Sequence, residues 1–79
     1  MSEIAIFYYW ADFCAPCKEQ SEILKKFIKQ HPDIILEKIR VKASEVKNYD
    51  IFPKIIINKS IRLLGTQNIE ELEKQIREL

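Results

Sequence analysis

The sequence predicts a single small α/β domain in the order β-α-β-α-β-β-α, with a four-stranded mixed sheet flanked by helices. Three observations predict it. An unbroken apolar run from Ile4 to Trp10 gives way to helical spacing and then to a second apolar run over 34–41. Two short runs, "KIIIN" and "IRLL", follow across a polar break. An amphipathic stretch closes the chain. With 79 residues there is room for one domain over 1–79 and no linker.

The first strand sets Ile4, Ile6, Tyr8 and Trp10 on one face and Ala5, Phe7 and Tyr9 on the other. A strand apolar on both faces belongs in the middle of a sheet, here expected to carry helices on both sides. From Pro16 the spacing turns helical, with Cys17, Leu24 and Ile28 on one stripe, Ile23 and Phe27 beside it, and the polar "KEQSE" facing water. A proline is well placed in the first turn, where its missing N–H has no intrahelical partner. "HP" at 31–32 ends the helix, since the residue before a proline avoids helical geometry. "IILEKIRV" reads as a second strand, parallel to the first through a right-handed crossover. "SEVKNY" over 44–49 reads as a short helix capped by Ser44. The two short runs form an antiparallel hairpin turning at about Asn58–Ser60. Gly65 breaks the pattern. Asn68 with Glu71 has the form of a capping box, and Ile69, Leu72, Ile76 and Leu79 trace the last helical stripe.

Composition narrows the function. Hydrophobic residues make up 47% of the chain, with one glycine and no low-complexity tract, so a core can form without covalent help. Net charge is +1, with 13 basic and 12 acidic residues interspersed. That balance is unlike a nucleic-acid binder, which gathers one sign on a face. Lys25, Lys26 and Lys29 form a small cluster, read as a solvated helix face. The opening residues carry Glu3 and no basic segment, and their apolar run has strand length, so neither a signal peptide nor a membrane span is expected. The expected compartment is the cytoplasm, where stable structural disulfides are uncommon.

Against that background both cysteines fall in "WADFCAPCK", residues 10–18. Cys14 at the strand-to-helix turn and Cys17 three positions on share a face and can close a small disulfide ring. Unpaired N–H groups and the macrodipole at a helix N-terminus favour negative charge. They lower a thiol from ~8.5 into a range of roughly 3.5–7.5. Cys14 is thus expected to be partly thiolate, with Cys17, one turn inside, shielded. Lys18 assists thiolate formation and Asp12 opposes it. Two other readings stand beside this one. Two thiols could be inert core residues. A zinc site needs four ligands, and His31 lies on the order of 20 Å away along the helix, so only two motifs meeting in a dimer could complete one. His31 itself reads as a helix-end residue, and Tyr9 and Tyr49 as packing.

The segment resembles the active site of the thioredoxin family, whose usual form is Trp-Ala-x-x-Cys-Gly-Pro-Cys-Lys, and the element order is similar to a minimal thioredoxin fold. "FPK" at 52–54 matches the family's cis-proline loop. The resemblance implies a thiol–disulfide oxidoreductase in which Cys14 is the nucleophile and Cys17 resolves the mixed disulfide. It implies a substrate surface of Trp10, Phe13, Ala15, Pro16, Phe52 and Pro53, with Trp10 also filling the core. No cofactor is expected beyond the redox-active pair Cys14–Cys17, and no metal. The implied partners are disulfide-containing proteins and a recycling system, either a flavin-dependent thioredoxin-reductase type or a thiol. A monomer is expected. A dedicated electron donor to one client, such as a ribonucleotide reductase or a peroxidase, is the alternative, and a metal-bridged binding module a third.

Departures from the family are specific. Ala15 replaces the glycine after the first cysteine, which stiffens the turn slightly. Tyr8 occupies the place of a buried acid six residues before Cys14, and with a pKa near ~10 it is a poor base. Size and layout are closer to glutaredoxin. Yet Asp50-Ile51-Phe52 precedes Pro53 and "LGTQN" follows the hairpin, where glutaredoxins carry their glutathione-holding residues.

Overall fold

The computed structural model describes residues 4–47 and 51–79. The elements are β1 (Ala5–Trp10), α1 (Ala15–Gln30), β2 (Ile35–Arg40), β3 (Lys54–Ile57), β4 (Ile61–Leu64) and α2 (Ile69–Arg77). A single 3-10 turn, Ala43–Glu45, lies between β2 and β3. The sheet order is β2-β1-β3-β4, which puts β1 in the interior as its two apolar faces require. β1 is parallel to β2 and antiparallel to β3, and β3 and β4 form the hairpin, so the sheet is mixed.

The core lies on one side of this sheet. Ile6 and Tyr8 of β1 and Ile55 and Ile57 of β3 share a face by register, and all four are fully buried. Leu24 and Phe27 of α1 and Leu72 of α2 close over them. Phe7, Tyr9 and Ile56 point the other way and stay half-buried, with the Lys54 ammonium 5.1 Å from the centre of the Tyr9 ring. The expectation of helices on both sides is therefore corrected: both α-helices pack on the Ile6–Tyr8 face. The two faces of β1 are both apolar but unequal, since Phe7 has Glu37 beside it in register and Ile56 has Arg62.

The short helix expected over 44–49 is the 3-10 turn instead, beginning earlier. The Lys42 N–H donates to the Glu45 carboxylate at 3.1 Å and closes the turn, which leaves Ser44 inside it rather than at its cap. Residues 48–49, including Tyr49, lie outside the described residues.

A second correction concerns α1. Gln20, read as part of a water-facing stretch, is fully buried. Its Oε1 accepts from the Gln67 backbone N–H at 2.6 Å and its Nε2 donates to the Gln67 carbonyl at 3.1 Å. One side-chain amide thus serves a loop that has no ladder partner of its own, which is why a polar residue tolerates burial there. At the far end α1 stops at Gln30, and His31 caps it, as "HP" predicts. The His31 ring stacks at 4.6 Å on Phe27, and Nε2 lies 3.3 Å from Glu73 of α2.

The hairpin turns through Asn58 and Lys59, both left-handed at φ 51° and 65°. Asparagine tolerates that region, and here it is held twice. Its N–H donates to the Ala5 carbonyl and its Oδ1 accepts from the Ala5 N–H, each at 2.9 Å. Gly65, at φ 82°, ends β4 where a side chain would be strained. Asn68 and Glu71 form the capping box at α2, with reciprocal bonds of 2.8 and 3.1 Å. Ile69 and Ile76 pack on the core beside Leu72. Leu79 does not continue the stripe: α2 ends at Arg77 and Leu79 is exposed.

Replacing Gln20 with leucine strands the Gln67 N–H and C=O, so Gln20→Leu is expected to cost about 2 kcal/mol in urea unfolding. Glu19→Ala, next to it on the wet face, should stay within about 0.5 kcal/mol.

Candidate active site

β1 ends at Trp10, and the chain turns back through Ala11, Asp12 and Phe13 into α1. The Cys14 N–H donates to the Ala11 carbonyl at 3.2 Å, which closes this turn and makes Cys14 the N-cap residue. Ala15 and Pro16 form the first exposed helical positions, where proline loses no hydrogen bond. The Cys17 N–H donates to the Cys14 carbonyl at 3.2 Å. The two sulfurs are joined as a disulfide, with Cα atoms 5.3 Å apart. Cys14 keeps 8% of its surface and Cys17 only 2%. Both pack with Ala11 against Trp10 and Phe52.

Beneath the pair lies Tyr8. Its hydroxyl donates to the Cys17 carbonyl at 2.7 Å and stands 3.0 Å from Ser21 Oγ. A phenol has one hydrogen to give, so with that hydrogen on the carbonyl, the serine is the donor in the second bond. Burial raises the Tyr8 pKa above its ordinary value, and the Ser21 bond offsets part of that rise. The group under Cys17 is thus a neutral donor that fixes the first turn of α1. Ser21 was missed in the sequence. The signal was there, because it sits four residues after Cys17 and so on the same helix face.

Asp12 has a partner in the structure. Its carboxylate is bonded to both Nε and Nη2 of Arg40, a pairing that sequence spacing does not reveal. Register explains it: Arg40 lies opposite Trp10 at the end of β2, beside the turn that carries Asp12. The acid thus faces a guanidinium on the exposed β2 side of the turn. Lys18 is exposed.

On the other flank, Phe13 is 60% exposed and its ring meets Phe52 edge-on at 6.3 Å. The Phe52–Pro53 peptide is cis. Pro53 is buried, and its carbonyl accepts from the Gly65 N–H at 2.9 Å, which ties this loop to the end of β4. The structure therefore brings Trp10, Phe52 and both cysteines into one cluster, sets Phe13 at its rim, and leaves Asp12 and Lys18 on the β2 side. Among the described residues no three metal-ligating side chains gather, and no helix is long and apolar enough to cross a membrane.

Two sulfurs that close on each other at the start of a helix can exchange that bond with another molecule, and this chemistry defines the class of thiol–disulfide oxidoreductases. Comparison with known families narrows the class. The Thioredoxin family model matches residues 1–78, and the chain belongs to that family. Solved structures agree on the fold. A thioredoxin-2 described as a component of malaria parasite protein secretion machinery superposes with a TM-score of 0.75 at 20% identity, covering 98% of this chain and 84% of that one. A Fasciola hepatica thioredoxin gives 0.77 at 19%, covering 96% and 80%. Chlamydomonas reinhardtii thioredoxin f2 gives 0.76 at 20%, covering 95% and 77%. Comparison with curated proteins gives no significant match.

Tyr8→Phe removes both hydroxyl bonds and is expected to lower stability by about 1 kcal/mol, read from denaturant unfolding. Its pH dependence has a definite sign. An unfolded tyrosine releases its proton near ~10, whereas the folded Tyr8 retains it, so stability present below that pH is lost as pH rises above it. That decline should be shallower in Tyr8→Phe than in the parent chain.

Proposed function

We propose that this protein reduces protein disulfides by dithiol exchange. The Cys14 thiolate attacks one sulfur of the substrate, the substrate S–S bond breaks, and its other sulfur leaves as a thiolate. Cys17 then gives up its proton and attacks Cys14, closing the Cys14–Cys17 bond and releasing the second substrate thiol. Two electrons pass from the protein to the substrate. The observation that carries this reading is the asymmetry of the pair: Cys14 is the more exposed sulfur at the helix start, and Cys17 lies deeper, against the turn that Tyr8 holds.

The half-exposed rim of Phe13 and Phe52 supports a protein substrate, because an apolar edge beside the reacting sulfur favours contact with a partly unfolded or extended segment. Pro53 adds no backbone N–H there, which leaves an arriving chain without a competing donor at that position. With Tyr8 neutral under Cys17, the resolving proton passes to water or to the leaving thiolate rather than to a buried carboxylate. The oxidised protein returns to the dithiol through a flavin-dependent reductase or a thiol, in a reducing compartment such as the cytosol.

The tests are direct. Insulin reduction with dithiothreitol should run faster with the protein than with the thiol alone, and the absence of acceleration would overturn the proposal. Cys14→Ser should abolish turnover. Cys17→Ser should accumulate covalent, dithiothreitol-sensitive complexes with substrate, seen by non-reducing electrophoresis. Phe13→Ala should lower kcat/KM for insulin by about fivefold, the scale of one truncated apolar contact.

A further inference from the structure

A second surface reaches the same two sulfurs from the β2 side. It is a cleft of about 590 Å3, within the size range of small-molecule sites, walled by Trp10 and bordered by Lys18, Lys38 and Arg40. Lys38 pairs with Tyr8 in register, and Arg40 with Trp10, so both rise from β2 on the face that carries α1. Lys18 reaches the cleft from α1, next to Cys17.

The charges do not cancel. Two acids border the cleft: Asp12 pairs with Arg40 of the same lining, and Glu22 pairs with Lys25 outside it at 3.3 Å. Lys18 and Lys38 have no acidic partner among the described residues. The result is a small concave site with an apolar wall, a net charge of +1 from three cations and two acids, two ammonium groups without an ion-pair partner among the described residues, and the disulfide in its lining.

We infer that this cleft recognises low-molecular-weight disulfides that carry carboxylates, on the flank of the sulfurs opposite the Phe13–Phe52 rim. The inference rests on the disulfide-exchange reading and adds a substrate class to it. The wall of Trp10 accommodates the carbon stem, and Lys18 and Lys38 attract the carboxylates. The reduced protein supplies both electrons: Cys14 displaces one carboxylated thiolate, and Cys17 displaces the other as the protein disulfide closes.

The test uses the protein reduced with dithiothreitol and then desalted, so that each molecule reacts once. Rates of oxidation are measured with 3,3′-dithiodipropionate, which is anionic, and cystamine, which is cationic. Each rate is divided by the rate of the same disulfide with free dithiothreitol, which removes intrinsic reactivity. At low ionic strength the normalised preference for the anionic disulfide should be about tenfold and should shrink toward one in concentrated salt. Lys38→Glu should reduce or reverse that preference by about tenfold, with Lys38→Gln in between. The ratio is the readout because either variant also alters the thiolate, and that change applies equally to both disulfides.

A normalised preference of one in the parent protein, or one unmoved by either variant, overturns the inference while leaving disulfide exchange intact. A preference that appears only with carboxylated peptide disulfides overturns it in favour of an acidic protein segment. If neither small disulfide oxidises the protein while insulin is still reduced, this inference fails alone; if insulin is not reduced either, disulfide exchange fails and the inference with it.

Discussion

Leu24 and Phe27 leave water by lying on Ile6, Tyr8, Ile55 and Ile57, and the position of both sulfurs follows from that contact. Each such side chain is worth roughly 1.5–3 kcal/mol when fully buried, enough together to seat α1 on the sheet in one place. With the axis of α1 set, the carboxyl end of β1 and the amino end of the helix must be joined by a four-residue turn. Cys14 is the last residue of that turn and Cys17 the third of the helix. Reactive groups are thus placed by remote packing rather than by their own contacts.

The polar groups nearest the pair act on its geometry. Tyr8 takes up the carbonyl of Cys17, Ser21 bonds the Tyr8 hydroxyl, and together they bind the strand to the first turn of the helix. Arg40 holds Asp12 on the outer side. The two flanks of the sulfurs consequently differ in character, one aromatic and the other cationic, and the sheet order explains this: β3 delivers Phe52 on one side of β1, and β2 delivers Lys38 and Arg40 on the other.

Much of the architecture was legible in the sequence because it rests on local signals. Periodicity marked β1 and α1, "HP" marked the end of α1, and Asn68 with Glu71 marked the start of α2. The cysteine pair was legible from its spacing. The misreadings share one cause, which is long-range pairing. Gln20 looks like a surface residue until the loop at Gln67 reaches it, 47 positions away. Asp12 looks like a free acid until β2 sets Arg40 beside its turn. The coverage of the sheet was misread because apolar character on both faces of β1 does not say how many layers the rest of the chain supplies. Ser44 was misplaced because the side chain of Glu45, the next residue, reaches back to the Lys42 N–H and closes a tighter turn first.

The amide of Gln20 has a consequence for cooperativity. It sits in the strand–helix–strand half of the chain, yet both its bonds go to the loop that leads from the hairpin into α2. Pairing of β1 with β3 joins the same two halves. A fragment ending after β2 would therefore leave the β3-facing edge of β1 unpaired, strip Ile55, Ile57 and Leu72 from the core, and leave the Gln20 amide without its partner. The hydrogen bonds of the disulfide-bearing turn lie within the first half, but the second half supplies the Ile55 and Ile57 floor under α1 and the Phe52 flank of the sulfurs, so the two halves are expected to fold as one cooperative unit.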